Sequence, residues 1–264
     1  MVSETFSVST GISRPWGSTG CRSMFSEFLS VLFPLRCVHC GRSGNWLCPQ
    51  CAGSLSPLGP RFCRHCGRPC GKNEATSSGR RDCPECRGRE LHFHTARAAF
   101  SFEGPARSLV HRLKYSGQRR LAAFMAELTC KQAGLTVTGK AVTLTYVPLH
   151  SSKLLSRGYN QAELYARALS RRLGLPMQDL LCKQHPTLAQ NQLGFEERRR
   201  NLEGSFSLRR RVGVSAAAGH DIGRLVLVDD VYTTGSTTAE CARVLQEGLG
   251  VDVDVWTFAR TVKR

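Results

Sequence analysis

From residue 91 onward, apolar residues spaced for strands alternate with apolar residues spaced for helices. RAAFSF (97–102) reads as a strand. After Gly104-Pro105, the residues Ala106, Leu109, Val110 and Leu113 recur at helical spacing, and KYSG ends that helix. Leu121, Phe124, Met125 and Leu128 mark a second helix running to near Gly134. VTLTYVP (142–148) is a β-branched strand, followed by an irregular basic loop. Ala162, Tyr165, Ala166 and Leu169 line the inner face of a helix from about 160 to 173. RLVLVDDV is a buried strand, a helix covers about 236 to 247, and VDVDVWTFAR is a final strand with alternating pattern. The polar stretches 183–203 and 209–221 carry no core pattern, the latter reading as an exposed insertion. Strands separated by helices predict an α/β domain with a parallel sheet over residues 91–264.

Ahead of residue 91 the pattern is different. Residues 1–23 are rich in Ser, Gly and Thr, lack the layout of a signal peptide, and read as a disordered tail. Met24 opens the first patterned stretch and is an alternative start. FLSVLF (28–33) reads as a short amphipathic helix; it falls far below the roughly 18 apolar residues a membrane span needs. These features predict a cytoplasmic protein with no membrane partner.

That compartment decides how the 13 cysteines are read, because reducing conditions favour metal ligation over disulfides. Nine of them lie within residues 37–86, eight arranged as CVHC, CPQC, CRHC and CPEC. A two-residue spacer turns both thiolates of a knuckle toward one ion, and two knuckles complete a tetrahedral zinc site. Cys37, Cys40, Cys48 and Cys51 form one set by sequential pairing, and Cys63, Cys66, Cys83 and Cys86 another; interleaved pairing is the alternative. Gly41 and Gly67 suit the tight turns, and His39 and His65 read as bystanders. An iron–sulfur cluster or redox pairs are the competing chemistries. With no coordination position left open, zinc here is structural, within a module spanning residues 24–90.

Charge adds one constraint. Thirty-seven Lys and Arg against 20 Asp and Glu leave +17, which suits phosphate-bearing partners, nucleotide or nucleic acid, though a solvated basic surface would look the same.

The chemistry concentrates in VLVDDVYTTGSTT (226–238). Asp229 and Asp230 fall at the carboxyl end of a buried strand, where open α/β sheets bind ligands. Gly235 lets backbone approach closely, Thr233, Thr234, Ser236 and Thr237 offer hydroxyls, and the helix that follows presents free N–H groups to an anion. A phosphate held beside carboxylates that accept from a diol describes a ribose 5-phosphate. A capped strand–turn–helix of another α/β enzyme is the bland alternative.

This string resembles the phosphoribosyl pyrophosphate motif of type I phosphoribosyltransferases. Together with the CxxC knuckles, LKYSG (113–117), RGYNQAELYARALSRRLGLP (157–176) and TLAQNQLGFEERRRNLEGSF (187–206), it resembles the ComF family of competence and GntX-type proteins, from about residue 24 to the carboxyl terminus. The resemblance implies a type I phosphoribosyltransferase-like domain after a double zinc ribbon. It further implies that Asp229 and Asp230 hold the ribose hydroxyls while Thr233, Thr234, Gly235, Ser236 and Thr237 cradle the 5-phosphate. Arg157 and Gly158 would meet the pyrophosphate, with Mg²⁺ as its companion ion, and Asp229, Asp230 and Arg157 would form the catalytic set. Lys114 could reach the same phosphates or simply end a helix. Arg198, Arg199 and Arg200 would close over the ligand or solvate a loop. None of His111, His150 and His185 shows a partner as a general base. Two functions follow: a magnesium-dependent phosphoribosyltransferase for a base or amine, or a non-catalytic protein that binds a nucleotide or phosphoribosyl pyrophosphate or handles single-stranded DNA, with single-stranded DNA or a DNA-uptake helicase as partner.

Overall fold

In the computed structural model the described residues are 35–70, 83–132, 142–185, 201–209 and 223–262. The 1–23 tail, the 28–33 helix, Arg198 to Arg200 and most of the 209–221 insertion lie outside them.

Four parallel strands form the main sheet: β1 (Ala96–Ser101), β2 (Val142–Tyr146), β5 (Arg224–Tyr232) and β6 (Asp252–Arg260), in the order β1-β6-β5-β2. A two-stranded antiparallel sheet joins β3 (Leu181–Lys183) to β4 (Phe206–Leu208). Six helices accompany them among the described residues: α1 (Pro49–Gly53), α2 (Gly104–Tyr115), α3 (Leu121–Cys130), α4 (Ser151–Arg157), α5 (Gln161–Leu173) and α6 (Ser236–Leu249).

The longer helices form where their apolar spacing demands a covered face. In α2 the buried residues are Pro105, Ala106, Leu109, Val110 and Leu113, at helical spacing along a single stripe. In α5 they are Gln161, Ala162, Tyr165, Ala166 and Leu169. Asn160 caps α5 by accepting from the Ala162 N–H at 2.9 Å, and Gly174 ends it in the left-handed region. α5 packs on α3, where the Thr129 hydroxyl and the Tyr165 phenol meet at 2.7 Å, and also on β5.

Two expectations about local structure change. The stretch after β2 is not irregular: residues 151–157 form α4, capped by the His150 ring accepting from the Ser152 N–H. No residue of α4 is buried, so it leaves no apolar period to read. And β6, which alternates in sequence, is covered on both faces from Val253 to Arg260. It lies between β1 and β5, and its second aspartate is satisfied internally. Asp254 accepts from the Thr95 N–H and hydroxyl at 3.0 and 2.8 Å and pairs with Arg224 at 2.9 Å.

The cysteine-rich segment is not a loose appendage. Ala96 at the start of β1 donates its N–H to His65 O at 2.6 Å, and Arg97 reaches Arg64 O at 3.0 Å. Farther along, Leu58 donates to Ala99 O at 3.1 Å. The edge of the main sheet is thus partly paired by the cysteine module, which removes an exposed strand edge.

Candidate functional site: an acidic pair at a strand end and two cysteine clusters

All four main strands run the same way, so the ends of β2 and β5 lie side by side. Tyr146 is registered with Val228, and Val147 donates to Val228 O at 3.0 Å. The loops leaving these two strands, residues 147–160 and 233–235, therefore share one edge of the sheet. The side chain of Asn160 secures this by donating to Val147 O at 3.0 Å.

Asp229 and Asp230 lie near that end of β5, which continues through Val231 to Tyr232. Asp230 is buried at 2% exposure, and its N–H donates to Asp229 Oδ1 at 2.8 Å. Lys114, near the end of α2, pairs with Asp230 Oδ2 at 2.7 Å. Burial and the adjacent Asp230 push the Asp229 carboxyl well above the ordinary range, and Lys114 pulls the other way. Burial opposes the charge on Lys114, but Asp230, then Asp229, raise its pKa. The pocket thus sets two close carboxylates against one ammonium.

Beyond the pair the chain turns. Gly235 has φ +82°, and a Cβ there would come within 2.2 Å of the Tyr232 hydroxyl, so glycine is required by both conformation and contact. α6 begins at Ser236 with no side chain capping it, which leaves its first N–H groups facing the turn. Thr234 and Ser236 join hydroxyls at 3.0 Å, and the Thr238 hydroxyl donates to Gly235 O at 3.0 Å. Thr233 is exposed and Thr237 half-buried on the same turn.

Across the edge, Gly158 has φ +77° and ends α4, while Arg119 donates to its carbonyl at 2.9 Å and lies 4.8 Å from the Tyr159 ring centroid. Arg157 donates to Gln161 Oε1 and lies 5.5 Å from the centre of the Tyr115 ring. The Tyr159 hydroxyl donates to Leu113 O, tying this loop to the turn of α2 that carries Lys114. Lys183 on β3 is a further cation, within electrostatic reach of Lys153 and Asp229; burial, then Lys153, lower its pKa. Reading the chain missed Lys183 and Arg119, since each reaches the site only through tertiary packing.

The cysteines gather in sequential order. The Sγ atoms of Cys37, Cys40, Cys48 and Cys51 lie within 4.8 Å of one another, as do those of Cys63, Cys66, Cys83 and Cys86. The sulfur–sulfur separations are 3.7 Å for Cys40–Cys48, 3.8 Å for Cys63–Cys86 and 3.7 Å for Cys66–Cys83. Four sulfurs about 2.3 Å from one tetrahedral zinc would stand about 3.8 Å apart. The leading knuckles repeat one turn: Cys37 donates to Arg42 O and Cys63 to Arg68 O, with Gly41 and Gly67 left-handed. Burial raises the Cys37 thiol, but backbone N–H groups of Cys40, Cys48 and His39 bring it down to about 6. Burial, reinforced by its neighbours, pushes Cys51 up to about 12. In the second cluster the Cys63 thiol pushes Cys66 up to about 12. A first proton leaves such a cluster readily and the last does not, so four thiolates require a cation among them. His39 and His65 stand outside both sets, bonded to the Ser108 hydroxyl and His94 O at 2.9 Å each.

Comparison with known proteins agrees with this geometry. Residues 28–87 match the family described as Double zinc ribbon domain. "Competence protein F" of Haemophilus influenzae is 30% identical over 240 residues, covering 86% of this chain and 98% of the relative. The chain belongs to the competence protein F family. "DNA utilization protein YhgH" of Escherichia coli K12 is 28% identical over 234 residues, covering 86% and 89% of the two chains. "Competence protein ComFC" of Bacillus subtilis is 24% identical over 250 residues, covering 91% and 93%. Both clusters and the double-ribbon match support structural zinc in this family member. No helix among the described residues is long and apolar enough to cross a membrane.

Proposed function

We propose that this protein binds phosphoribosyl pyrophosphate or a nucleotide at the Asp229–Asp230 edge and serves the competence or DNA-utilization role that its relatives' names carry. One observation supports this most: two adjacent carboxylates lie near the carboxyl end of a parallel strand that leads, through a short turn, to a left-handed glycine and a helix start with no side-chain cap. The carboxylates would accept from the ribose hydroxyls, and the turn Thr233 to Thr237 would donate to the 5-phosphate. Arg157 and Gly158 face the same edge and would meet a pyrophosphate. Lys114, paired with Asp230 at 2.7 Å, would hold that carboxylate in place. A magnesium ion arriving with pyrophosphate would neutralise the leaving group, with Asp229 and Asp230 as the nearby carboxylates.

In a transfer reaction, the bond from C1 of the ribose to pyrophosphate breaks and the acceptor nitrogen's bond to C1 forms, with pyrophosphate carrying away the electron pair and the acceptor's N–H proton passing to pyrophosphate or solvent. Lys114, Lys183, Arg157 and the helix start hold cationic or donor groups toward the oxygens that gain charge. Pyrophosphate release with pools of bases and amines tests the catalytic form, with Asp229→Asn/Asp230→Asn as the inactive control.

The single-stranded DNA reading has its own support on α2. Phe102, His111 and Tyr115 form a row with ring centroids 6.5 and 5.6 Å apart, and Tyr115 is 72% exposed. Val38, Arg107, Ser108, His111, Arg112 and Tyr115 line a cleft of about 380 Å³ between this helix and the first cysteine knuckle. Rings interleaved with arginines suit stacked bases and phosphates. Fluorescence anisotropy of a labelled single strand over a salt series tests it. Binding that weakens with salt and with His111→Ala/Tyr115→Ala supports this reading, and binding indifferent to both removes it.

A further inference from the structure

Arg260, the last residue of β6, is among the most deeply buried long side chains of the protein, at 2% exposure. Its guanidinium donates to Cys66 O at 2.5 Å and to Glu85 Oε2 at 2.6 Å. Cys66 belongs to the first knuckle of the second cluster, and Glu85 stands between Cys83 and Cys86 in the other knuckle. One side chain from the main sheet thus grips both halves of this cluster.

The same guanidinium lies 4.9 Å from the centre of the Tyr232 ring, and Tyr232 is the cross-strand partner of Arg260 in the β5–β6 register. The Tyr232 hydroxyl in turn fills the space where a Cβ of residue 235 would be. A second route runs alongside: His65 stacks on Phe93 at 5.2 Å, and Phe93 meets Tyr232 edge-on at 6.4 Å. Both routes begin in the knuckles and end on the ring that supports the glycine turn. Close-packed contacts of this kind transmit displacement because no slack separates them.

We infer that the second zinc ribbon is a positioning element for the 233–237 turn, so that metal occupancy of the Cys63, Cys66, Cys83 and Cys86 cluster and the order of that turn are thermodynamically linked through Arg260 and Tyr232. Its functional consequence rests on reading the turn as a phosphate site; the coupling itself does not. The knuckle supplies the two states: with metal, its turns are held by four thiolates; without metal, like charges and buried thiols drive it open. Opening would move Cys66 O and Glu85 and release Arg260, and Tyr232 would lose the partner that fixes its ring. By reciprocity, whatever stabilises the turn also holds the metal more tightly. Arg260 and Tyr232 are therefore positioning residues that touch no ligand themselves.

Hydrogen exchange of the full-length zinc-loaded protein, followed by mass spectrometry on peptides covering 232–238 and 142–146, tests this. Extracting zinc with a chelator should raise exchange in 232–238 about threefold or more while 142–146 stays protected. Arg260→Lys, checked to retain both zinc ions, should show the raised exchange without chelator. If Arg260→Lys does not fold, Tyr232→Phe, which keeps the ring and removes the hydroxyl at Gly235, should show the same local rise. Unchanged exchange in 232–238 on zinc extraction, or a rise shared equally by 142–146, overturns the inference. Titration of the wild type with magnesium and phosphoribosyl pyrophosphate is a separate measurement. A zinc-responsive turn with no binding heat leaves the coupling standing and removes the phosphate reading.

Discussion

Lys114→Met isolates the electrostatics of the acidic pair. The ammonium sits 2.7 Å from Asp230 Oδ2, with the lysine side chain 23% exposed and the aspartate 3%. Methionine keeps most of the stem's volume and removes the charge, so Asp230 remains buried beside Asp229 without a counter-ion. Breaking a buried pair from one side costs about 3–5 kcal/mol, and the partial exposure of Lys114 places this one near 3 kcal/mol or somewhat below. The loss should depend on pH in a definite direction. Without Lys114 the folded state holds a carboxyl proton more tightly than the unfolded chain does. The variant therefore loses stability as pH rises above the ordinary aspartate range, and the gap from wild type narrows as pH falls toward that range. Urea unfolding at pH 7.5 and pH 5 measures both quantities. Lys114→Met/Asp230→Asn should recover most of the loss, because the stranded charge is gone. A deficit below about 1 kcal/mol at pH 7.5, or a double variant no better than the single, would refute the buried pair as described.

Three other outcomes follow from the same geometry. Asp229→Asn keeps an oxygen to accept from the Asp230 N–H but removes a carboxyl whose pKa is raised in the fold by burial and Asp230. A raised carboxyl pKa costs stability as pH climbs through the shifted range. Thermal unfolding should therefore show the variant more stable than wild type at neutral pH, with the difference shrinking at acid pH. Gly235→Ala places a methyl against the Tyr232 hydroxyl at φ +82° and should lower stability by about 1–2 kcal/mol from conformation alone, read by urea unfolding, with further loss from the clash. Elemental analysis should find two zinc ions per chain, one for each four-cysteine cluster, and about one after either Cys51→Ser or Cys83→Ser.

Much of the main domain is legible before folding is considered. β1, α2, β2, α5, β5 and α6 fall within about two residues of where apolar spacing and the Gly104-Pro105 start put them. The cysteine knuckles are legible too, because two-residue spacers leave thiolates few other arrangements. What the chain hides are contacts created by register. VDVDVWTFAR alternates as if one face met water, yet its inner aspartate is consumed by Thr95 and Arg224 and both faces are covered. Arg260 ends that strand as an ordinary surface charge would. Only the pairing of β6 with β5 places it opposite Tyr232, between the cluster and the turn. Lys114 is similar: a lysine in the last turn of a helix is commonplace, and its partner lies 116 positions away (230 minus 114). The acidic pair and glycine turn stand out in the chain because they are contiguous; the cations gathered near them come from three other elements.

Calorimetry with magnesium and phosphoribosyl pyrophosphate tests the pocket most directly, using wild type and Asp229→Asn/Asp230→Asn. The account predicts saturable heat at one site per chain in wild type and none in the double variant. Equal heat from both proteins, or none from wild type with either this ligand or a nucleoside monophosphate, would contradict it.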